Sequence, residues 1–153
     1  MLRFTGRTRY FLSAFGEHLI SEEVEKAIAI AADTAGIGVI DFHVGPVFPT
    51  TPGHPGRHRW FVEFTETICP DARSHFEREL DVALSKLNED YLAHRVGNVA
   101  MGAPEVCPVP RGGFADWMRS RDRLGGQNKV PRMDNSGHIT DQLARFFHVE
   151  RDA

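Results

Sequence analysis

The chain has 153 residues, 41% of them hydrophobic, which is enough to bury one core and too few for two comfortable ones. Lys and Arg number 18 against 21 Asp and Glu, a formal charge of -3, and this excludes any chain-wide electrostatic case for nucleic acid or an anionic membrane. No apolar run suits a signal-peptide core or a bilayer span, so a soluble, cytoplasmic domain is expected, with Cys69 and Cys107 as unclustered thiols rather than a zinc site.

Leu2 and Phe4, Tyr10-Phe11-Leu12 and Leu19-Ile20 alternate loosely between Gly6 and Gly16, predicting two or three short extended pieces. Gly6, Arg7 and Thr8 form either a swivel or an ordinary tight turn; on these residues alone both stay open. Ser21 is expected to cap a helix whose apolar stripe is Val24, Ala27, Ile28, Ala31 and Ala35, with Gly36 as its stop. Glu22, Glu23 and Glu25 read as a solvated face rather than paired catalytic carboxylates.

Ile40, Phe42 and Val44 alternate with Asp41 and His43, and Trp60, Val62 and Phe64 with Arg59 and Glu63, so two half-buried strands are predicted. The proline- and glycine-rich stretch 49–56 between them makes an antiparallel hairpin with a long loop. Pro55 and Gly56 rule out a helix that would put His54 and His58 on one metal, and Arg57 to Trp60 is too short a basic, aromatic cluster to argue for nucleic acid. Pro70 opens a second helix with Phe76, Leu80, Ala83, Leu84 and Leu87 on one face, broken at Asn88 and Asp90, with one further turn at 91–95. His75 and His94 have no partner at ligand spacing. Residues 104–110 read as a short strand whose prolines lie at a sheet edge or at the strand's ends.

Phe114, Trp117 and Met118 fall at i, i+3 and i+4 after Gly112-Gly113 and predict a short amphipathic helix. Beyond it Gly125, Gly126, Gln127 and Lys129 precede Pro131, which gives a lysine held out on a loop. The glycine and Lys-Ser/Thr order of a phosphate-binding P-loop is missing, so spacing alone leaves Lys129 a solvated surface residue. A terminal helix carrying Ile139, Leu143, Phe146 and Phe147 follows, with Ser136 or Thr140 as its cap. The order of elements predicts an α+β fold, a two-layer sandwich of helices on a small, mainly antiparallel sheet.

Taken in order, Gly6-Arg7, Gly16-Glu17-His18-Leu19, Ile40-Asp41-Phe42, Pro52-Gly53-His54, Leu87-Asn88-Glu89-Asp90-Tyr91, Gly112-Gly113-Phe114 and Gly126-Gln127-Asn128-Lys129-Val130-Pro131-Arg132 resemble the C-terminal domain of the auxin-responsive promoter (GH-three) family of acyl acid amido synthetases, a branch of the acyl-adenylate-forming superfamily. The resemblance runs over 2–132 and leaves 133–153 as an uncharacteristic terminal helix; Gly113 before Phe114 points to a bacterial type. It implies that the chain is a single mobile lid, 1–153, that it is inactive alone, and that its partner is an N-terminal adenylating domain absent from this sequence. It further implies ATP and Mg2+ as cofactors of the full enzyme, none of them bound to this domain alone, and a small carboxylic acid and an amino acid as substrates.

By the same resemblance Lys129 corresponds to the lysine delivered to the adenylating site, Gly125, Gly126 and Gln127 shape its loop, and Gly6, Arg7 and Thr8 fall at the interdomain hinge. A compact ammonium is what the chemistry wants, because negative charge accumulates as a carboxylate attacks the α-phosphorus of ATP. The competing expectation is a free-standing, non-catalytic α+β domain that binds a small ligand or a protein.

Overall fold

A computed structural model describes residues 11–51, 53–98, 100–121 and 129–149. Two short strands, β1 (Phe11–Leu12) and β2 (Leu19–Ile20), pair antiparallel and lead directly into helix α1 (Ser21–Ala35). Ser21 is the first helical residue rather than its cap: Ile20 holds that position, and the carboxylate of Glu23 reaches back to accept from the Ile20 backbone N–H at 3.1 Å. Gly36 ends the helix as expected, in the left-handed conformation (φ 71°) that costs glycine nothing.

Strands β3 (Val39–Val47) and β4 (Arg57–Phe64) form the predicted hairpin, and β5 (Glu105–Val109) adds to β4 in parallel, giving the order β3-β4-β5. β5 is an edge strand, in keeping with its Pro108. Helices α2 (Pro70–Leu87) and α3 (Glu89–Arg95) lie between β4 and β5 in sequence. Asn88 joins the two helices: its Oδ1 accepts from the Tyr91 N–H at 2.7 Å, while its Nδ2 donates to the His18 carbonyl (2.6 Å) and to Glu23 (2.8 Å). Helices α4 (Gly113–Ser120) and α5 (His138–Phe146) complete the chain.

One face of the sheet, with Phe42, Trp60, Val62 and Phe64, packs on α1 and α2 through Val24, Ala27, Ile28, Phe76, Leu80 and Leu84. The other carries Phe61, Cys107 and Val109 against Phe114 and Trp117 of α4 and Leu143 and Ala144 of α5. Helices therefore lie on two faces where a two-layer sandwich was expected, and the α+β class stands. Burial of apolar area on both faces is the main stabilising term.

This double cover explains where alternation misleads. In β4 Arg59, Phe61 and Glu63, which alternate with Trp60, Val62 and Phe64, are buried too, and in β3 His43 is buried on the second face. Ile40, read as a core position, is 45% exposed, because the pairing slips between Val39 and Asp41 and turns it outward. Buried polar groups on the second face must then find partners within the protein.

Candidate functional site

The segment that follows Lys129 is fastened to β3 from its first residues. Val130 is buried in the second core. The carbonyl of Pro131 accepts from the Nδ1–H of His43 at 2.6 Å, and the carbonyl of Arg132 accepts from the Val44 N–H at 2.8 Å. Asp134 N–H returns a bond to the Val44 carbonyl (3.2 Å), so 132–134 lies along β3 as a one-bridge extension of the sheet at Val44 and Met133. Arg132 covers the ring of Phe42 at 5.0 Å and reaches Asp41 and Glu25, each at 3.3 Å.

His43 is the centre of this clamp. Its other nitrogen, Nε2, accepts from the Thr140 hydroxyl at 2.8 Å. With Nδ1 donating and Nε2 accepting, the ring is the neutral tautomer. Burial pushes its pKa down to about 4, against the opposing pull of the Pro131 carbonyl and the charge of Asp134. Thr140, one of the two expected caps of α5, is instead this buried partner. The cap work falls to Asp134, whose Oδ2 accepts from the Ile139 N–H at 2.6 Å, and to Ser136, whose hydroxyl accepts from the His138 N–H at 3.1 Å. Burial alone would raise the Asp134 carboxyl; the bonds from Ser136 and Ile139 outweigh it and hold the group below the usual range.

Gly45 makes the close approach possible. A Cβ built there would stand 1.8 Å from the Thr140 hydroxyl oxygen and 3.0 Å from the Asp134 carbonyl, so any side chain would push α5 off the sheet. Lys129, two residues before Pro131, is exposed. The result is an exposed cation two residues from a backbone carbonyl that His43 holds against β3 and α5. Of the expected loop and hinge residues, Gly125, Gly126, Gln127, Gly6, Arg7 and Thr8 lie outside the described residues.

A second built feature was not legible in the sequence. Glu17, in the turn between β1 and β2, is fully buried and accepts from His58 Nε2 at 2.5 Å and from the Phe15 N–H at 2.8 Å. Burial would raise the Glu17 carboxyl; His58 and the backbone donors hold it lower. This pair ties the β1–β2 hairpin to β4. Asp81 plays a similar part on the helices, taking the Tyr91 hydroxyl (2.7 Å) and two nitrogens of Arg95 (2.9 and 2.7 Å).

The Arg57 to Trp60 cluster is no nucleic-acid surface. Trp60 is fully buried, Arg59 is 4% exposed, and both arginines bind the Glu105 carboxylate. Both thiols are free, and the buried Cys107 is pushed up to about 12, by burial first and then by Glu105. Among the described residues no group of three or more His, Cys, Asp or Glu could hold a metal ion, and no helix is long and apolar enough to cross a membrane.

Comparison with known proteins bears on the family and the fold. A family model described as the GH3 family C-terminal domain matches residues 22–138. Among solved structures, a GH3.15 acyl acid amido synthetase superposes with a TM-score of 0.72 at 17% identity, over 95% of this chain and 26% of that one. A second, AtGH3.15 acyl acid amido synthetase in complex with 2,4-DB, gives 0.68 at 19% identity, over 90% of this chain and 26% of the other. No curated protein matches the sequence. The chain thus spans about a quarter of the length of the solved structures it resembles.

Proposed function

Because this chain belongs to the GH3 family as its C-terminal domain, we propose that it serves as the mobile lid of an ATP-dependent acyl acid amido synthetase, completed by an N-terminal adenylating domain. Such an enzyme activates a small carboxylic acid and passes the acyl group to an amino acid. The observation that carries the proposal is Lys129: an exposed cation whose chain, within two residues, is bolted to β3 and α5 by His43. A rigid root lets a domain rotation, rather than a floppy loop, decide where the ammonium stands.

In the adenylating pose Lys129 would meet the nucleotide across the domain boundary and oppose the negative charge that builds up when the carboxylate attacks phosphorus. The charge is compact and carries no fork, which suits a point contact better than an arginine would. Withdrawal of the lid would then clear a path for the amine. Gly125, Gly126 and Gln127 are assigned to the same loop, and Gly6, Arg7 and Thr8 to the hinge. Magnesium accompanies ATP in this chemistry, and its ligands are assigned to the larger domain.

The test joins this chain to its adenylating domain and follows acid-dependent exchange of pyrophosphate into ATP. Deleting residues 1–153 should lower exchange by about a hundredfold or more, the scale of losing a preorganised charge from a dry site. Undiminished exchange without the lid would remove it from the chemistry. A gene that encodes these residues alone, with no adenylating partner, would favour a free-standing binding domain.

A further inference from the structure

A lid meets its partner domain through a particular face, and one groove on this chain is suited to that contact. It runs between α1, from Glu25 onward, and the first residues of β3, and has a volume of about 570 Å³. Arg132 is one of its lining residues. Three residues of chain reach at most about 11 Å, so the backbone of Lys129 lies beside the groove. A partner that receives the lysine comes within contact range of both.

Its lining is apolar at the centre. Ile28 and Phe42 are buried, Ile37 and Val39 are half-buried, and Ile40 is left exposed by the bulge between Val39 and Asp41. Exposed apolar surface rimmed by charge marks a place that another molecule covers. The rim here is acidic, with Glu25, Asp33 and Asp41 against the single guanidinium of Arg132; Lys26 of α1 is not among the lining residues. Arg132 is divided between Glu25 and Asp41, 3.3 Å from each. The exposed Asp33 carboxylate has no ion-pair partner among the described residues. An apolar strip inside an undercompensated acidic rim matches a partner surface of the opposite pattern, apolar beside basic.

We propose that in the adenylating pose this groove receives a segment of the adenylating domain in which an apolar side chain stands next to a lysine or arginine, the apolar group covering Ile40 and the cation meeting Asp33. The contact presupposes the lid role and adds to it a face and a chemistry. A second copy of this chain is the poorer occupant, because groove against groove would set two acidic rims together. The test uses the joined enzyme and acid-dependent exchange of pyrophosphate into ATP. Asp33→Lys and Ile40→Ser change exposed positions, and a lysine in the last turn of α1 suits the helix end, so both variants should melt as the wild type does. Asp33→Lys should lower exchange about tenfold by setting a cation against a cation, and Asp33→Glu should stay within about twofold of wild type. Ile40→Ser should lower exchange about fivefold.

Two further readings separate a docking contact from a structural one. The ratio of wild-type to Asp33→Lys exchange should shrink as NaCl rises from about 50 to about 500 mM, because the contact is partly ionic. Amide hydrogen exchange over residues 37–42 of the joined enzyme should slow several-fold when ATP and Mg2+ are bound, and should not slow in Asp33→Lys. Exchange within about twofold of wild type in both Asp33→Lys and Ile40→Ser, in an enzyme that loses its activity when residues 1–153 are deleted, would overturn the groove and leave the lid role standing. Undiminished exchange after that deletion would overturn both. Equal loss in Asp33→Glu and Asp33→Lys, or a ratio unmoved by salt, would also overturn the groove contact. So would a change of oligomeric state on light scattering that accompanies the loss in Asp33→Lys, which would assign the face to a second copy.

Discussion

Replacing His43 by Gln separates the geometry of the Lys129 root from its titration. A glutamine can donate to the Pro131 carbonyl and accept from Thr140, as the neutral ring does, but it takes up no proton. In the native protein His43 titrates near 4, below its ordinary value of about 6.5. Its folded pKa is depressed, so the unfolded chain binds the proton first. Its contribution is whole above the unfolded pKa and is lost as pH falls towards the folded one. Between pH 7 and pH 5 the two values give a loss of about 2 kcal/mol, and roughly 3 kcal/mol by the acid end of the window. The carboxyls of Glu17 and Asp134, both held below their usual range, lose their share only at lower pH. Urea unfolding of wild type and His43→Gln at pH 7 and pH 5 isolates the effect, because the other histidines are common to both. The variant should be less stable at pH 7 by about 1 kcal/mol for imperfect hydrogen bonds, and should lose about 2 kcal/mol less than wild type on acidification. Equal losses in the two proteins, within about 0.5 kcal/mol, would refute the buried neutral imidazole and with it the clamp.

Two other substitutions probe the same framework. Gly45→Ala drives a methyl into the Thr140 hydroxyl and should cost about 3 kcal/mol of stability, partly recovered in the Gly45→Ala/Thr140→Ala double variant; strictly additive costs would mean that α5 does not rest on Gly45. Glu17→Gln strips the buried His58 of its charged acceptor and should cost about 2–3 kcal/mol, with faster amide exchange across 11–20 as the hairpin loosens; exchange unchanged from wild type would place the fastening of the hairpin elsewhere.

The parts of the fold that rest on local periodicity were readable from the chain. The stripe from Val24 to Ala31 and that from Phe76 to Leu84 face the core as spaced, and the hairpin of β3 and β4 follows its alternation. What escaped was decided by tertiary cover. His43 and Arg59 sit at positions that alternate outward, and only the packing of α4 and α5 on the second face buries them. Thr140 looked like a cap because it opens a helix; the glycine at 45, far away in sequence, pulls it inward. Glu17 and His58 are 41 residues apart, and no spacing rule joins them. Lys129 is the opposite case. Its exposure was expected from its loop, while any chemical role came from the resemblance of the surrounding run and not from the residue's setting.

The most direct measurement compares the two half-reactions in the joined enzyme carrying Lys129→Ala. Acid-dependent exchange of pyrophosphate into ATP should fall by about a hundredfold or more, while amide formation from a supplied acyl-adenylate should stay within about threefold of wild type. Exchange at the wild-type rate, or equal damage to both half-reactions, would contradict a charge that acts on adenylation and then withdraws.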